Sequence, residues 1–114
     1  PINNLEKFED RDCMWRQKVN LELKNKYINV FKKLDKFIFL KVPSFKHVLK
    51  WRMLQEQKLK YKKSGSRIMS NKEIKRFVMF YERITKQMLA DRFKYADVII
   101  DLDTKHKLSK IKFL

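Results

Sequence analysis

The sequence has few of the residues that give a chain sharp turns or cross-links. Its 114 residues include one glycine, one cysteine and two prolines. A phosphate-binding loop needs several glycines so that backbone N–H groups can approach the phosphates, so a Walker-type loop and a dinucleotide fingerprint are both excluded. The single cysteine, Cys13, excludes an internal disulfide and a multi-cysteine zinc site. It also favours a reducing compartment, and we expect a cytoplasmic protein.

Long apolar runs and acidic charge are also scarce. No run approaches the roughly 20 apolar residues of a membrane-spanning helix, and we expect no signal peptide and no membrane partner. Lysine and arginine number 29 against 13 acidic residues, which gives a formal net charge of +16. Such a charge attracts polyanions, including nucleic acid and phosphorylated small molecules. Because no long basic run is present, we favour a general lysine bias over a nucleic-acid footprint.

The sequence is apolar enough to fold, since hydrophobic residues make up 44% of the chain. Residues 1–13 are polar and are predicted as a loop, or as the end of a strand at the first two residues. Apolar spacings of three and four predict a helix over residues 14–35, with Asp12 as its N-cap. The short apolar run "KFIFLKV", residues 36–42, ends at Pro43 and predicts a strand buried on both faces.

The second half of the sequence predicts two more helices and another strand. Ser44 is a candidate cap for a helix over residues 44–63, and a loop follows over residues 62–70. Ser70 and Glu73 form a Ser-x-x-Glu capping box, which predicts the start of a helix over residues 70–92. The run "DVIIDLD", residues 97–103, predicts a second strand, and the tail, residues 104–114, has room for a short third strand.

Strands that alternate with long helices predict an α/β fold with an open sheet. Parallel strands in such a sheet are covered by helices on both faces. Two strands do not make a stable open sheet, so we expect half of a doubly wound fold, with the other strands supplied from elsewhere. The whole chain, residues 1–114, is then one portion of a single domain.

Few residues carry recognisable chemistry. His47 and His106 have no metal-ligand spacing, and we interpret both as surface or capping residues, while Cys13 is expected to be inert. Asp101 and Asp103 come at the carboxyl end of the second predicted strand, where ligands of open α/β sheets bind. They either contact a ligand or simply end the strand, and the sequence leaves both readings open.

A polar cluster interrupts the helix predicted over residues 44–63. Arg52, Gln55 and Glu56 follow one another closely there, between the apolar flanks Trp51 and Met53. One interpretation is a solvated polar face. The other is a basic helix that closes over bound phosphates, where an arginine would stabilise the charge of a transferring phosphoryl group.

Several separate motifs occur in a characteristic order. They are "INNLEKFEDRDCMWRQKVNLELKNKY" at residues 2–27, "VLKWRMLQEQKL" at 48–59, "IMSNKEIKRFVMFYERITKQML" at 68–89 and "YADVIIDLD" at 95–103. Together they resemble the C-terminal half of the D-glycerate 3-kinase-like P-loop kinases, relatives of the uridine kinase, phosphoribulokinase and pantothenate kinase group. The resemblance implies an ATP- and Mg²⁺-dependent kinase that transfers a γ-phosphoryl group to a hydroxyl acceptor such as D-glycerate.

The resemblance also implies roles for particular segments and residues. The two predicted strands would be the fourth and fifth of a parallel P-loop kinase sheet, and residues 44–63 would form a lid-side helix. Residues 1–13 would form a loop on the substrate side. The resemblance implies three groups of ligand contacts. Arg52, which would also be catalytic, and Gln55 would contact the nucleotide phosphates, and Asp103 and Lys105 would lie near the adenine. The residues near the phosphate acceptor would be Asn4, Glu6, Trp15, Arg16 and Asn20.

In the family, three catalytic elements precede the part that this chain resembles. They are the Walker A loop, its magnesium-binding Ser or Thr, and the carboxylate of the third strand region. No metal ligand is therefore assigned to these residues, and we expect the chain alone to be inactive. An N-terminal kinase half would have to be supplied in cis or in trans. The alternatives are a stand-alone basic module that binds nucleic acid and a non-catalytic partner protein derived from a kinase.

Overall fold

The chain forms two compact units, Pro1–Phe37 and Ile38–Leu114, in a computed structural model that describes residues 1–62, 67–91 and 94–114. Residues 63–66 of the predicted loop, around Gly65, and the predicted helix ends at residues 63 and 92 lie outside the described residues. Within the described ranges, no helix is long and apolar enough to cross a lipid bilayer.

The first unit is helical from its beginning. Helix α1 spans Asn4–Glu9, so the prediction of a loop over residues 1–13 is wrong, and no strand forms at the first two residues. The helix begins at Asn4 because the side chain of Asn3 accepts a hydrogen bond from the backbone N–H of Glu6, at 3.0 Å. That bond satisfies one of the N–H groups that the first turn of a helix leaves without a partner.

One continuous helical run follows, as predicted, but it ends earlier than residue 35. Helix α2 spans Met14–Glu22, a π-helical turn spans Leu23–Tyr27, and helix α3 spans Ile28–Phe31. Its start is not capped by Asp12. The residue before α2 is Cys13, which adopts a left-handed conformation with φ of 61°, and the side chain of Asp10 reaches past it to the first turn.

The second unit is built on a three-stranded mixed sheet in the order β1-β2-β3. Its strands are β1 (Ile38–Lys41), β2 (Val98–Leu102) and β3 (Leu108–Phe113). The two predicted strands are confirmed and pair in parallel, as expected. The tail does form a third strand, but β3 runs antiparallel to β2, so the sheet is not the wholly parallel one that was predicted.

Two helices connect β1 to β2. Helix α4 spans Phe45–Lys62 and helix α5 spans Asn71–Ala90, and they pack against each other in an antiparallel pair. At one end Lys86 Nζ lies 5.8 Å from the centre of the Phe45 ring, and further along the guanidinium of Arg52 lies 5.7 Å from the Phe77 ring.

The capping box at the start of α5 is confirmed. The backbone N–H of Glu73 donates to Ser70 Oγ at 3.2 Å, and the backbone N–H of Ser70 donates to Glu73 Oε2 at 2.8 Å. The two bonds satisfy each residue's N–H with the other's side chain. The sequence therefore located the beginning of this helix correctly to the residue.

Burial of β1 is one-sided, contrary to the prediction that both faces are covered. Phe39 is 7% exposed and its neighbour on β2, Ile99, is 9% exposed. Ile38 and Leu40 point to the opposite face, because side chains alternate along a strand, and they are 57% and 58% exposed. The chain joins the two strands through a single crossover connection, α4 and α5, and one crossover supplies helices to at most one face of a sheet.

The buried apolar residues of this unit include Ile74, which is 1% exposed on α5, and we expect its truncation to be costly. Ile74→Ala should lower the free energy of unfolding by about 2–5 kcal/mol, through lost burial and a residual cavity. Ile84 lies on the same helix and is 41% exposed, so the matched change Ile84→Ala should cost less than about 1 kcal/mol. Urea unfolding measures both, and equal costs would contradict this packing.

Candidate functional site

The carboxyl ends of the parallel strands β1 and β2 carry a cluster of aromatic rings. The chain leaves β1 and enters α4, whose second turn places Trp51 against His106 of the β2–β3 turn. The two rings are stacked, with centroids 4.1 Å apart and planes 12° apart, and the ring centroid of His47 lies 5.8 Å from that of Trp51. Ligands of open α/β sheets bind at this end of the strands, so we take this end of the second unit as the candidate site.

The two histidines have the modest roles expected from the sequence. His47 Nδ1 is 2.9 Å from Ser44 Oγ, and its backbone N–H donates to the Ser44 carbonyl at 3.1 Å, which fixes the turn into α4. His106 has a φ of 62° and occupies the β2–β3 turn, where its ring covers Trp51. The stack itself was not predicted, because the two residues are far apart in the sequence.

Arg52 follows Trp51 on α4 and is held by a buried carboxylate. Arg52 Nη1 donates to Glu56 Oε2 at 2.6 Å, and Arg52 Nη2 lies 3.7 Å from the sulfur of Met69. The other oxygen of Glu56 accepts the backbone N–H of Met69 at 2.8 Å. Glu56 thus joins the middle of α4 to the residue just before the cap of α5.

The pKa of Glu56 is lowered from its usual value, first by the hydrogen bond from the Met69 backbone and then by Arg52. Glu56 is 5% exposed, and both contacts favour its ionised form.

Gln55 is exposed and lies three residues beyond Arg52, which places the two on one side of α4. Of the predicted polar cluster, the structure therefore joins Arg52 to Glu56 and leaves Gln55 at the surface.

The two aspartates after β2 have partners within the fold. Asp101 lies between two lysines, with Lys41 Nζ at 3.8 Å and Lys112 Nζ at 3.6 Å from its oxygens. Asp103 Oδ1 accepts the backbone N–H groups of Lys105 and Lys107, both at 2.9 Å, and these bonds lower its pKa, with that of Lys107 contributing most. Asp103 therefore shapes the turn in which Lys105 is exposed.

In the first unit, two of the predicted substrate residues belong to one ionic cluster. Arg16 Nε donates to Asp10 Oδ2 at 2.8 Å, and Arg16 Nη1 is 3.6 Å from Glu6 Oε2. Glu6 also accepts the backbone N–H of Ile2 at 2.8 Å and is buried. The contact with Arg16 lowers the pKa of Asp10 and raises that of Arg16. The cluster ties the start of α1 to the start of α2.

The other predicted substrate residues of the first unit are at the surface. Trp15 is 71% exposed on α2, and Asn4 and Asn20 are also exposed. The structure thus brings together Glu6 and Arg16, and the backbone N–H of Trp15 donates to the same Asp10 at 2.9 Å, while the side chains of Trp15, Asn4 and Asn20 stay at the surface. Asp10 was not predicted, since its bond to Arg16 depends on the left-handed turn at Cys13, which no spacing rule identifies.

Within residues 1–62, 67–91 and 94–114, no group of three or more His, Cys, Asp or Glu side chains is arranged to hold a metal ion. Comparisons with protein families, with curated proteins and with solved structures each found no match for this chain. The resemblance to the glycerate kinase-like enzymes therefore stays a prediction.

The contacts of Glu56 predict a pH-dependent contribution to stability. Because its pKa is lower in the folded than in the unfolded chain, this contribution is complete above the ordinary glutamate pKa of about 4.3 and is lost as the pH falls through the folded value. Glu56→Gln should therefore destabilise the protein most near neutral pH, and the difference from the wild type should shrink on acidification.

Urea unfolding at several pH values measures that difference. The other carboxylates with lowered pKa values, among them Asp10, Glu22 and Asp103, are the same in both proteins, so their contributions cancel. A difference that stays constant from neutral to acidic pH would show that the charge of Glu56 does not support the fold.

Proposed function

We propose that this chain is part of an ATP-dependent kinase that transfers a γ-phosphoryl group to a small hydroxyl-bearing acceptor, with D-glycerate as the first candidate. Two features support the proposal. One is the ordered set of motifs that resembles the C-terminal half of the glycerate kinase-like enzymes. The other is Arg52, a cation held by Glu56, which follows Trp51, the residue that stacks on His106 of the turn after β2.

The fixing of Arg52 is the observation that carries the proposal. Catalysis of phosphoryl transfer depends on charges that are already positioned before the reaction, because they then need no reorganisation in the transition state. Glu56 and Met69 restrain the guanidinium of Arg52 from one side, and the stacked Trp51 and His106 limit movement of the same part of α4. In this proposal Arg52 bonds the transferring phosphoryl group.

The remaining roles are divided between this chain and a second segment. Since the chain has one glycine, the backbone cradle for the phosphates comes from an N-terminal kinase half, in cis or in trans. ATP and Mg²⁺ bind mainly to that half, and the metal would neutralise charge on the phosphates. We assign Gln55 to the phosphates, the turn with Asp103 and Lys105 to the adenine side, and the first unit to the acceptor.

The proposal is tested by combining the chain with a segment that carries a Walker A loop and measuring ADP formation with D-glycerate. Arg52→Ala should lower kcat at least ~100-fold, because an arginine on the transferring phosphoryl group contributes about that much or more. Lys50→Ala removes a positive charge from an exposed position on the same helix and should change kcat less than about twofold.

Three outcomes would decide the matter. A loss confined to Arg52→Ala supports the catalytic role. Equal activity of the Arg52 and Lys50 variants would refute that role. Failure of any Walker A segment to produce a nucleotide-dependent transfer would refute the kinase proposal and favour a non-catalytic partner protein.

A further inference from the structure

The sulfur of Met69 belongs to the group of polar contacts that joins α4 to the start of α5. Arg52 Nη2 donates to Met69 Sδ at 3.7 Å, while Nη1 of the same guanidinium donates to Glu56 Oε2 at 2.6 Å. Glu56 Oε1 in turn accepts the backbone N–H of Met69 at 2.8 Å. The three residues therefore form a closed ring of contacts within the second unit, and the thioether sulfur is the weak acceptor in it.

Small molecules from solution can reach this sulfur. Met69 is half-buried, and together with Phe77 and Phe80 it lines a cavity of about 490 Å³ that opens to solvent. A molecule of the size of water or hydrogen peroxide fits such a cavity. Methionine side chains that solvent can reach are common sites of oxidation to the sulfoxide.

Oxidation changes what Met69 offers to the guanidinium of Arg52. A thioether is a weak acceptor, whereas the sulfoxide is a polar group with an oxygen that accepts hydrogen bonds. Since Sδ lies 3.7 Å from Arg52 Nη2, a bent S–O···N arrangement brings the added oxygen to a hydrogen-bonding distance of about 2.7–3.2 Å. A hydrogen bond from a charged donor to oxygen is stronger than the contact with sulfur that it replaces.

We propose that Met69 is a reversible oxidation site whose sulfoxide accepts a hydrogen bond from Arg52. Hydrogen peroxide is the oxidant. A lone pair of the sulfur attacks one peroxide oxygen, the O–O bond breaks, and after proton transfer the products are the sulfoxide and water. The sulfur loses the two electrons that the peroxide gains. A dithiol-dependent methionine sulfoxide reductase reverses the step, with water and a disulfide as its other products.

The oxidation state of Met69 thereby sets how tightly Arg52 is held. After oxidation, Nη1 is bonded to Glu56 and Nη2 to the sulfoxide, and the guanidinium cannot rotate about its Cζ–Nε bond unless both bonds break. This inference is independent of the kinase proposal, because it concerns contacts within the chain and involves no nucleotide and no phosphate acceptor.

Peroxide treatment of the complete chain tests the proposal. Peptide mass spectrometry locates the sulfoxides, and nitrogen-15 NMR follows the Arg52 guanidinium. Met69 should be oxidised in the folded protein, after Met14, which is 70% exposed. Rotation of the guanidinium about its Cζ–Nε bond should then slow at least ~10-fold, because a charge-assisted hydrogen bond is added. Treatment with the reductase should restore the original rate.

Three variants separate the sulfoxide of Met69 from other effects of peroxide. Met69→Leu keeps the backbone bond to Glu56 but lacks the sulfur, so peroxide should leave the rotation of Arg52 unchanged. Met69→Gln supplies an amide oxygen and should slow the rotation without peroxide. Met14→Leu is the matched control, and its response to peroxide should equal that of the wild type.

The comparison of treated with untreated wild type does not depend on the folding of any variant. Three results would overturn the proposal. One is oxidation of Met69 only after the chain has been unfolded in urea. Another is a sulfoxide at Met69 that leaves the rotation of Arg52 unchanged. The third is an equal slowing by peroxide in Met69→Leu.

Discussion

The parallel pairing of β1 with β2 is the constraint on which the second unit depends. Two parallel strands cannot be joined by a tight turn, so the chain between Lys41 and Val98 has to cross over the sheet, and it does so through α4 and α5. Phe39 and Ile99 are buried on one face of the sheet, whereas Ile38 and Leu40 on the other face are exposed.

The same crossover produces the candidate site. Because α4 starts shortly after β1, its second turn lies beside the turn that follows β2, and Trp51 contacts His106 there. Glu56 then connects α4 to the start of α5 through Met69 and restrains Arg52 at the same time. A single buried carboxylate therefore supports the helix pair and orients the residue on which the proposed chemistry depends.

Local signals in the sequence predicted local structure well. The capping box of Ser70 located the start of α5. The same kind of signal at Asn3 was present but was not used, and α1 was missed for that reason. The apolar run of β1 predicted a strand correctly but not its exposure, because composition does not reveal whether a second helical layer is available to cover Ile38 and Leu40. The bond between Glu56 and Met69 spans 13 residues, and no local spacing rule indicates how α4 and α5 approach each other.

The central structural claim is that the sheet has one covered and one open face. The most direct measurement is paramagnetic broadening of methyl signals in NMR spectra by a neutral, water-soluble nitroxide. The account predicts strong broadening for Ile38, Leu40 and Ile111, and weak broadening for Ile74 and Ile99. Equal protection of all five, or stronger broadening of Ile99 than of Leu40, would contradict it.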